Sequence, residues 1–182
     1  KGPDQGQCRV NRVRWRACVR GRADAFAVLL EEAGRLAGPD TDAALLALFI
    51  GGPLGGLVPV DKIGSLTVDF ESFSQNGFLL GHASVVCLPA DYPVIKYIEH
   101  LFQFTAHESC GKCFPCRLGS TRGYEMVGKA INSDYKMSRE LFTDLITTME
   151  IGSLCALGGG LPLPIRNALQ YFDGELKQYF EV

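Results

Sequence analysis

The chain has 182 residues, 47% hydrophobic and 21% charged, with a net charge of −2. That balance belongs to a folded globular protein and excludes disordered and collagen-like classes. The longest apolar runs, such as residues 43–50, fall well short of the ~20 residues that a membrane helix needs, so no membrane span is expected.

The start, Lys1-Gly2-Pro3-Asp4, carries no apolar stretch of a secretory signal, and a first residue other than Met is expected of a processed or partial piece. Residues 1–22 hold seven Lys/Arg and one acid, a net of +6 that leaves −8 for residues 23–182. Arg9, Arg12, Arg14, Arg16, Arg20 and Arg22 alternate in part with Val10, Val13, Trp15, Cys18 and Val19. This pattern suits the solvated face of a strand or hairpin better than a nucleic-acid interface. Residues 8–20 therefore read as β-rich. A helix is predicted around 24–34, with Phe26, Leu29, Leu30 and Ala33 on one face and Gly34 as its stop. After a Gly38-Pro39-Asp40 turn comes an apolar run that ends in Gly51-Gly52-Pro53-Leu54-Gly55-Gly56. Short strands are predicted over 57–60 and 66–70, and a connector over 71–90 contains the strand-like stretch 83–88.

From Asp91 the pattern turns helical. Asp91 is the expected N-cap and Pro93 falls in the first turn, where its missing N–H costs little. Val94, Ile95, Ile98, Leu101, Phe102 and Thr105 mark one face of this helix. Further helices are predicted over 117–132, 138–150 and from 164 to 172 or beyond. Ser138 can cap the second of these, whose Leu141, Phe142, Leu145, Ile146 and Met149 form a stripe for bundle packing. The expected fold class is α+β: a small unit over 1–70, a connector over 71–90 and an all-α bundle over 91–182.

Seven cysteines without a secretory signal point to a reducing, cytoplasmic setting, where clustered thiols serve metals or catalysis more than disulfides. Cys110, Cys113 and Cys116 stand at C-x2-C-x2-C spacing, and Cys155 follows in a separate Gly-rich stretch. A [4Fe–4S] cluster takes four thiolates, one per iron. Three ligands spaced two residues apart can wrap one side of the cube, and a distant fourth then closes it. Zinc is the rival, but structural zinc sites take their ligands as two separated pairs, which a triplet fits poorly. The first turn of the helix after Cys116 would aim partial positive charge and free N–H groups at an anionic cluster. Lys112 and Arg117 either add positive charge there or are solvated surface charges. His107, three residues ahead of Cys110, is read as a non-ligand because four cysteines suffice. His82 and His100 read as structural or exposed, and Cys8, Cys18 and Cys87 as small buried residues.

The block E-S-C-G-K-C-F-P-C-R-L-G-S-T-R-G (108–123), with the later G-S-L-C-A-L-G-G (152–159), resembles the flavin-carrying subunits of the NADH-dehydrogenase type. That family includes the flavoprotein subunit of respiratory complex I, the diaphorase subunit of NAD-linked [NiFe] hydrogenases and the β subunit of NAD-dependent formate dehydrogenases. The resemblance implies that Cys110, Cys113, Cys116 and Cys155 ligate a [4Fe–4S] cluster, and that Ala156 and Leu157 lie near an FMN. Upstream, L-E-E-A-G (30–34) and G-G-P-L-G-G-L-V-P (51–59) are similar to the family's soluble-ligand-binding β-grasp (SLBB) insert. G-S-T-R-G and G-S-L-C-A look closest to the formate dehydrogenase branch.

One departure matters. The family holds FMN and NAD on an N-terminal domain with a G-R-G-G-A-G-F-P-type loop, and no such stretch occurs here. The run at Gly51–Gly56 is not followed by a helix pattern, so it lacks the context of a nucleotide loop. The resemblance therefore implies the C-terminal portion of such a subunit. Its expected role is passing single electrons between FMN and other iron–sulfur centres beside a ferredoxin-like [2Fe–2S] subunit and a molybdopterin or hydrogenase catalytic subunit. The rival reading is a zinc- or cluster-stabilised interaction domain with no redox duty.

Overall fold

A computed structural model describes residues 45–181 apart from Val68 and Ala83. The predicted strand over 8–20, the helix over 24–34, Cys8, Cys18 and the Leu30–Gly34 part of the resemblance lie outside the described residues. Within them the fold is mixed α/β, with one three-stranded sheet and mostly helices.

The apolar run becomes β1 (Leu45–Ile50), the middle strand of an antiparallel sheet ordered β2-β1-β3. β2 (Leu57–Pro59) pairs through Leu48↔Val58, and β3 (Val85–Pro89) through Leu48↔Cys87 and Phe49↔Val86. β1 does not alternate in polarity because both of its faces are covered. Successive side chains of a strand point to opposite faces. Ala47 and Leu57 accordingly enter a core shared with the helices, whereas Leu48, Ile50 and Val58 enter a second core with Ile63, Phe73, Phe78 and Leu80.

The second core is supplied by the segment between β2 and β3. It contains α1 (Val60–Ile63) and α2 (Phe70–Gln75). None of the described residues of 66–70 is in a strand, contrary to the expectation from its apolar residues. Asp69 accepts the Ser72 N–H at 2.7 Å and so caps α2, which turns the chain into a helix at that point.

Among the described residues six α-helices follow β3: α3 (Val94–Glu108), α4 (Phe114–Asn132), α5 (Arg139–Gly152), the short α6 (Ala156–Gly160), α7 (Pro162–Tyr171) and the short α8 (Asp173–Leu176). Asp91 does not cap α3. Pro93 takes the N-cap position, and the Val94 N–H, which has no partner within the helix, is received by Glu175 at 2.8 Å, 81 residues away. The predicted α3 stripe is buried as expected, and Tyr97 joins it. Ser138 caps α5 by accepting the Leu141 N–H at 3.3 Å. Leu141 itself departs from the expected stripe and is 64% exposed. Phe102, Phe142 and Phe180 meet edge to face at 5.9 and 5.6 Å in the helical core.

Two contacts bind the layers. Asn167 of α7, buried, accepts the Leu57 N–H at 3.3 Å and donates to the Gly77 carbonyl at 3.2 Å, joining the bundle to the sheet edge. Between α3 and α4 the approach is close because Gly123 has no side chain: a Cβ there would overlap the Phe102 ring. Gly123→Ala is expected to lower stability by roughly 1–3 kcal/mol, as overpacking does, and Phe102→Leu in the same chain should recover part of it. Gly64→Ala, at a position with open space and a helical φ of −64°, should leave the melting temperature nearly unchanged. Thermal unfolding of the variants followed by circular dichroism checks both.

Candidate metal centre

α3 ends at Glu108 and α4 begins at Phe114, and the five residues between them carry two of the clustered cysteines. Gly111 adopts φ +77°, which turns the loop back on itself, and its N–H donates to Ser109 Oγ at 3.3 Å. Arg117 donates to the Gly111 carbonyl at 3.3 Å and lies 4.9 Å over the Phe114 ring, so it braces this loop from α4. Cys113 is the N-cap of α4 and Pro115 stands in its first turn. One turn in, Cys116 is 4% exposed, with Ser109 Oγ 3.4 Å from its sulfur.

Cys155 arrives from α5. That helix stops at Gly152, Ser153 and Leu154 bridge, and Cys155 is the N-cap of α6. Two close approaches lay this loop on the start of α4. A Cβ on Gly152 would stand 2.8 Å from Pro115 Cγ, and one on Gly158 would stand 2.6 Å from Cys116 Cβ and 2.5 Å from Ser153 Oγ. Arg166 of α7 steadies the end of α5 through Glu150 at 2.9 Å and Thr147 at 2.9 Å. All four cysteines are free and graded in depth: Cys116 buried, Cys113 half-buried, Cys110 and Cys155 exposed.

The electrostatics report the same gathering. The Leu154 backbone N–H beside Cys113 holds its thiol below the usual range. Burial pushes the Cys116 thiol up, and the charges of Cys113, Cys155 and Cys110 act on it in the same direction against the Ser109 hydrogen bond. Cys116 within reach of the charges of the other three, with the Leu154 N–H and the Ser109 hydroxyl nearby, suits an anionic group that needs four thiolates and hydrogen bonds to sulfur. Among the described residues no three His, Cys, Asp or Glu side chains converge on a single ion. A cube differs from such an ion in seating each thiolate on its own iron. Four free cysteine thiols supply the number and type of donors that a [4Fe–4S] group takes.

The remaining candidates are placed elsewhere or at the margin. His107 is exposed in the last turn of α3. His82 and His100 line a cavity of about 390 Å³ between the sheet and α3, along with Phe49, Tyr92 and Tyr97. Ala156 is exposed and Leu157 half-buried in α6, just past Cys155. The sequence patterns single out none of Ser109, Ser153 and the Leu154 N–H. Their only signal in the sequence is position, next to Cys110 or one and two residues before Cys155.

Residues 96–179, which contain all four clustered cysteines, match the family described as "NADH-ubiquinone oxidoreductase-F iron-sulfur binding region". The chain is 30% identical over 143 residues to the NADP-reducing hydrogenase subunit HndC of Solidesulfovibrio fructosivorans, covering 76% of this chain and 28% of that protein. It is also 30% identical over 135 residues to the mitochondrial NADH-ubiquinone oxidoreductase 51 kDa subunit of Neurospora crassa, covering 73% and 27%. The chain thus spans less than a third of the length of these curated relatives. The fold is similar to a chain of the NAD+-reducing [NiFe]-hydrogenase in its H2-reduced state, at a TM-score of 0.66 and 24% identity over 76% of this chain and 24% of that one.

The two opposed thiol shifts are measurable. In metal-free protein, iodoacetamide is expected to alkylate Cys113 well before Cys116, and the Cys113 rate should begin to rise at lower pH, because a lowered pKa leaves more thiolate. Mass spectrometry of timed digests reads the order; equal rates would contradict it.

Proposed function

We propose, from the match of residues 96–179 to the NADH-ubiquinone oxidoreductase-F iron–sulfur binding region, that Cys110, Cys113, Cys116 and Cys155 ligate one [4Fe–4S] cluster in the electron-transfer portion of a multi-subunit NAD-linked oxidoreductase. The observation that carries the reading is the convergence of the Cys155 loop on the first turn of α4, with Gly158 against Cys116. A bound cluster takes up and releases one electron at a time, which suits a place between a two-electron flavin and other iron–sulfur centres.

The chain's own residues hold and orient the four thiolates. Cys113 and Cys155 stand ahead of helices, and Cys116 lies in the first turn of α4, where helical N–H groups and the dipole favour negative charge. Burial of Cys116 keeps water from that side, whereas Cys110 and Cys155 remain open toward a partner. FMN and NAD would be held in the complete subunit or its complex, beyond these 182 residues, with Ala156 and Leu157 on the side nearest the flavin. The proposed division is an SLBB-like β-grasp unit over 1–70, a connector over 71–90 and the cluster-bearing unit over 91–182, in a cytoplasmic complex.

Formate dehydrogenase is the favoured complex, on the strength of the G-S-T-R-G and G-S-L-C-A variants of the two motifs. The alternatives are the diaphorase subunit of an NAD-linked [NiFe] hydrogenase and the flavoprotein subunit of complex I; the NADP-reducing hydrogenase subunit and the NADH-ubiquinone oxidoreductase subunit among the relatives support a hydrogenase and a complex I setting respectively. Co-purification from the source decides between them: a molybdopterin subunit points to formate and a [NiFe] subunit to hydrogen.

Anaerobic reconstitution of the chain is expected to yield about four irons per chain and an EPR signal on reduction. Zinc without iron would sink the cluster reading, and a cluster that shows no reversible redox titration would favour an interaction domain instead. Cys155→Ala should leave at best a labile or three-iron cluster, whereas Cys87→Ala, whose residue stands in β3 opposite Leu48, should keep full iron content.

A further inference from the structure

The hydroxyls near the metal centre do not all behave alike. Ser120, Thr121, Thr143 and Thr147 each donate to the carbonyl four residues back, at 2.6, 3.1, 2.8 and 2.8 Å. This is the ordinary resort of a hydroxyl on a helix. Ser153 sits at the C-terminus of α5, where its own N–H reaches Met149 O at 3.2 Å. Yet its side-chain oxygen is buried and has no partner. Among the described residues two other buried hydroxyls share that condition, on Tyr97 and Thr105 of α3. Ser153 alone of the three lies among the clustered cysteines: the point 2.5 Å from its Oγ is also 2.6 Å from Cys116 Cβ.

A buried hydroxyl left unpaired is unfavourable, and native structures give nearly all such groups a partner. The adjoining Leu154 N–H already serves Cys113, and Cys116 Sγ already has Ser109 Oγ as its partner, 3.4 Å away. The bridge 153–154 thus carries two donors on consecutive residues, directly before Cys155.

We infer that Ser153 Oγ donates a hydrogen bond to a sulfur of the cluster and thereby raises its reduction potential; the inference rests on the ligand set proposed above. A donor aimed at sulfur stabilises the more negative, reduced form more than the oxidised one, and it does so most strongly where water is excluded. Ser153 is in this sense a positioning and tuning residue, and the four thiolates alone bind the irons.

The test compares Ser153→Ala, Ser153→Thr and the unaltered full chain after anaerobic reconstitution. Ser153→Ala is expected to keep the iron content and the EPR signal while its midpoint potential moves to a more negative value. In pulsed EPR of reduced samples exchanged into D2O, one exchangeable deuteron coupling should vanish. Ser153→Thr retains a hydroxyl and should restore both the potential and the coupling. Three results overturn the inference: unchanged potential and coupling in Ser153→Ala, loss of its iron (which would make Ser153 a structural residue), or a threonine variant that behaves like the alanine one. Failure of the unaltered chain to bind iron falls on the ligand set instead.

Discussion

The close approach of the Gly152–Gly158 loop to the first turn of α4 is the constraint on which the metal centre depends. Three of the four thiols come from a single short stretch, so local geometry goes far toward arranging them. The fourth is 39 residues from Cys116 in sequence and reaches them only because α5 runs back beside α4 and stops at a glycine. Gly152 lets the backbone meet Pro115, and Gly158 lets it meet Cys116. A Cβ at either position would stand too close to its neighbour, so the small residues in this loop are a steric requirement of closure.

Everything that fixes the paths of α4 and α5 therefore bears on the site. Gly123 admits Phe102, and Gly119 admits Met149, whose Cγ would lie 2.7 Å from a Cβ there. The face of α4 that carries these glycines lets α3 and α5 come unusually near. Rigid placement matters because a metal centre tolerates little drift in its ligands. The salt bridge from Arg166 to Glu150 is exposed and contributes about 1 kcal/mol or less, so packing rather than ion pairing holds α5 in place. The sheet adds a second layer of support. β1 is covered on both faces, and Asn167 carries a buried hydrogen-bonded link from β2 to α7.

The centre is asymmetric in its exposure. Cys116 faces the interior under Ser109, while Cys110, Cys155 and the 81%-exposed Leu154 lie at the surface. For a relay this has a physical rationale. In the proposed relay the buried side would set the chemistry of the bound group through donors in a low-dielectric setting, and the open side would shorten the distance to a docking partner. Ile151 and Phe114, both exposed, extend the apolar surface around that opening.

Much of this was legible in the sequence, because the informative features are local. The C-x2-C-x2-C triplet, the distant fourth cysteine, the α3 stripe and the Ser138 cap follow from spacing and side-chain chemistry within a few residues. Local reading failed where a distant partner decides the outcome. Asp91 is the natural cap for α3 by proximity, but Glu175 satisfies the Val94 N–H from across the fold. Residues 66–70 have strand-like composition, but Asp69 starts a helix whose Phe73 fills a core that the sequence does not display. Ser109 and Ser153 belong to the same class, since a hydroxyl has meaning only through what stands within hydrogen-bonding range of it. The sequence by itself determined which residues are fit to hold an iron–sulfur group, through the number, type and spacing of thiols. Only the tertiary structure decided how the four are brought together, which of them is buried and which donors surround them, because those properties arise between segments that the chain keeps far apart.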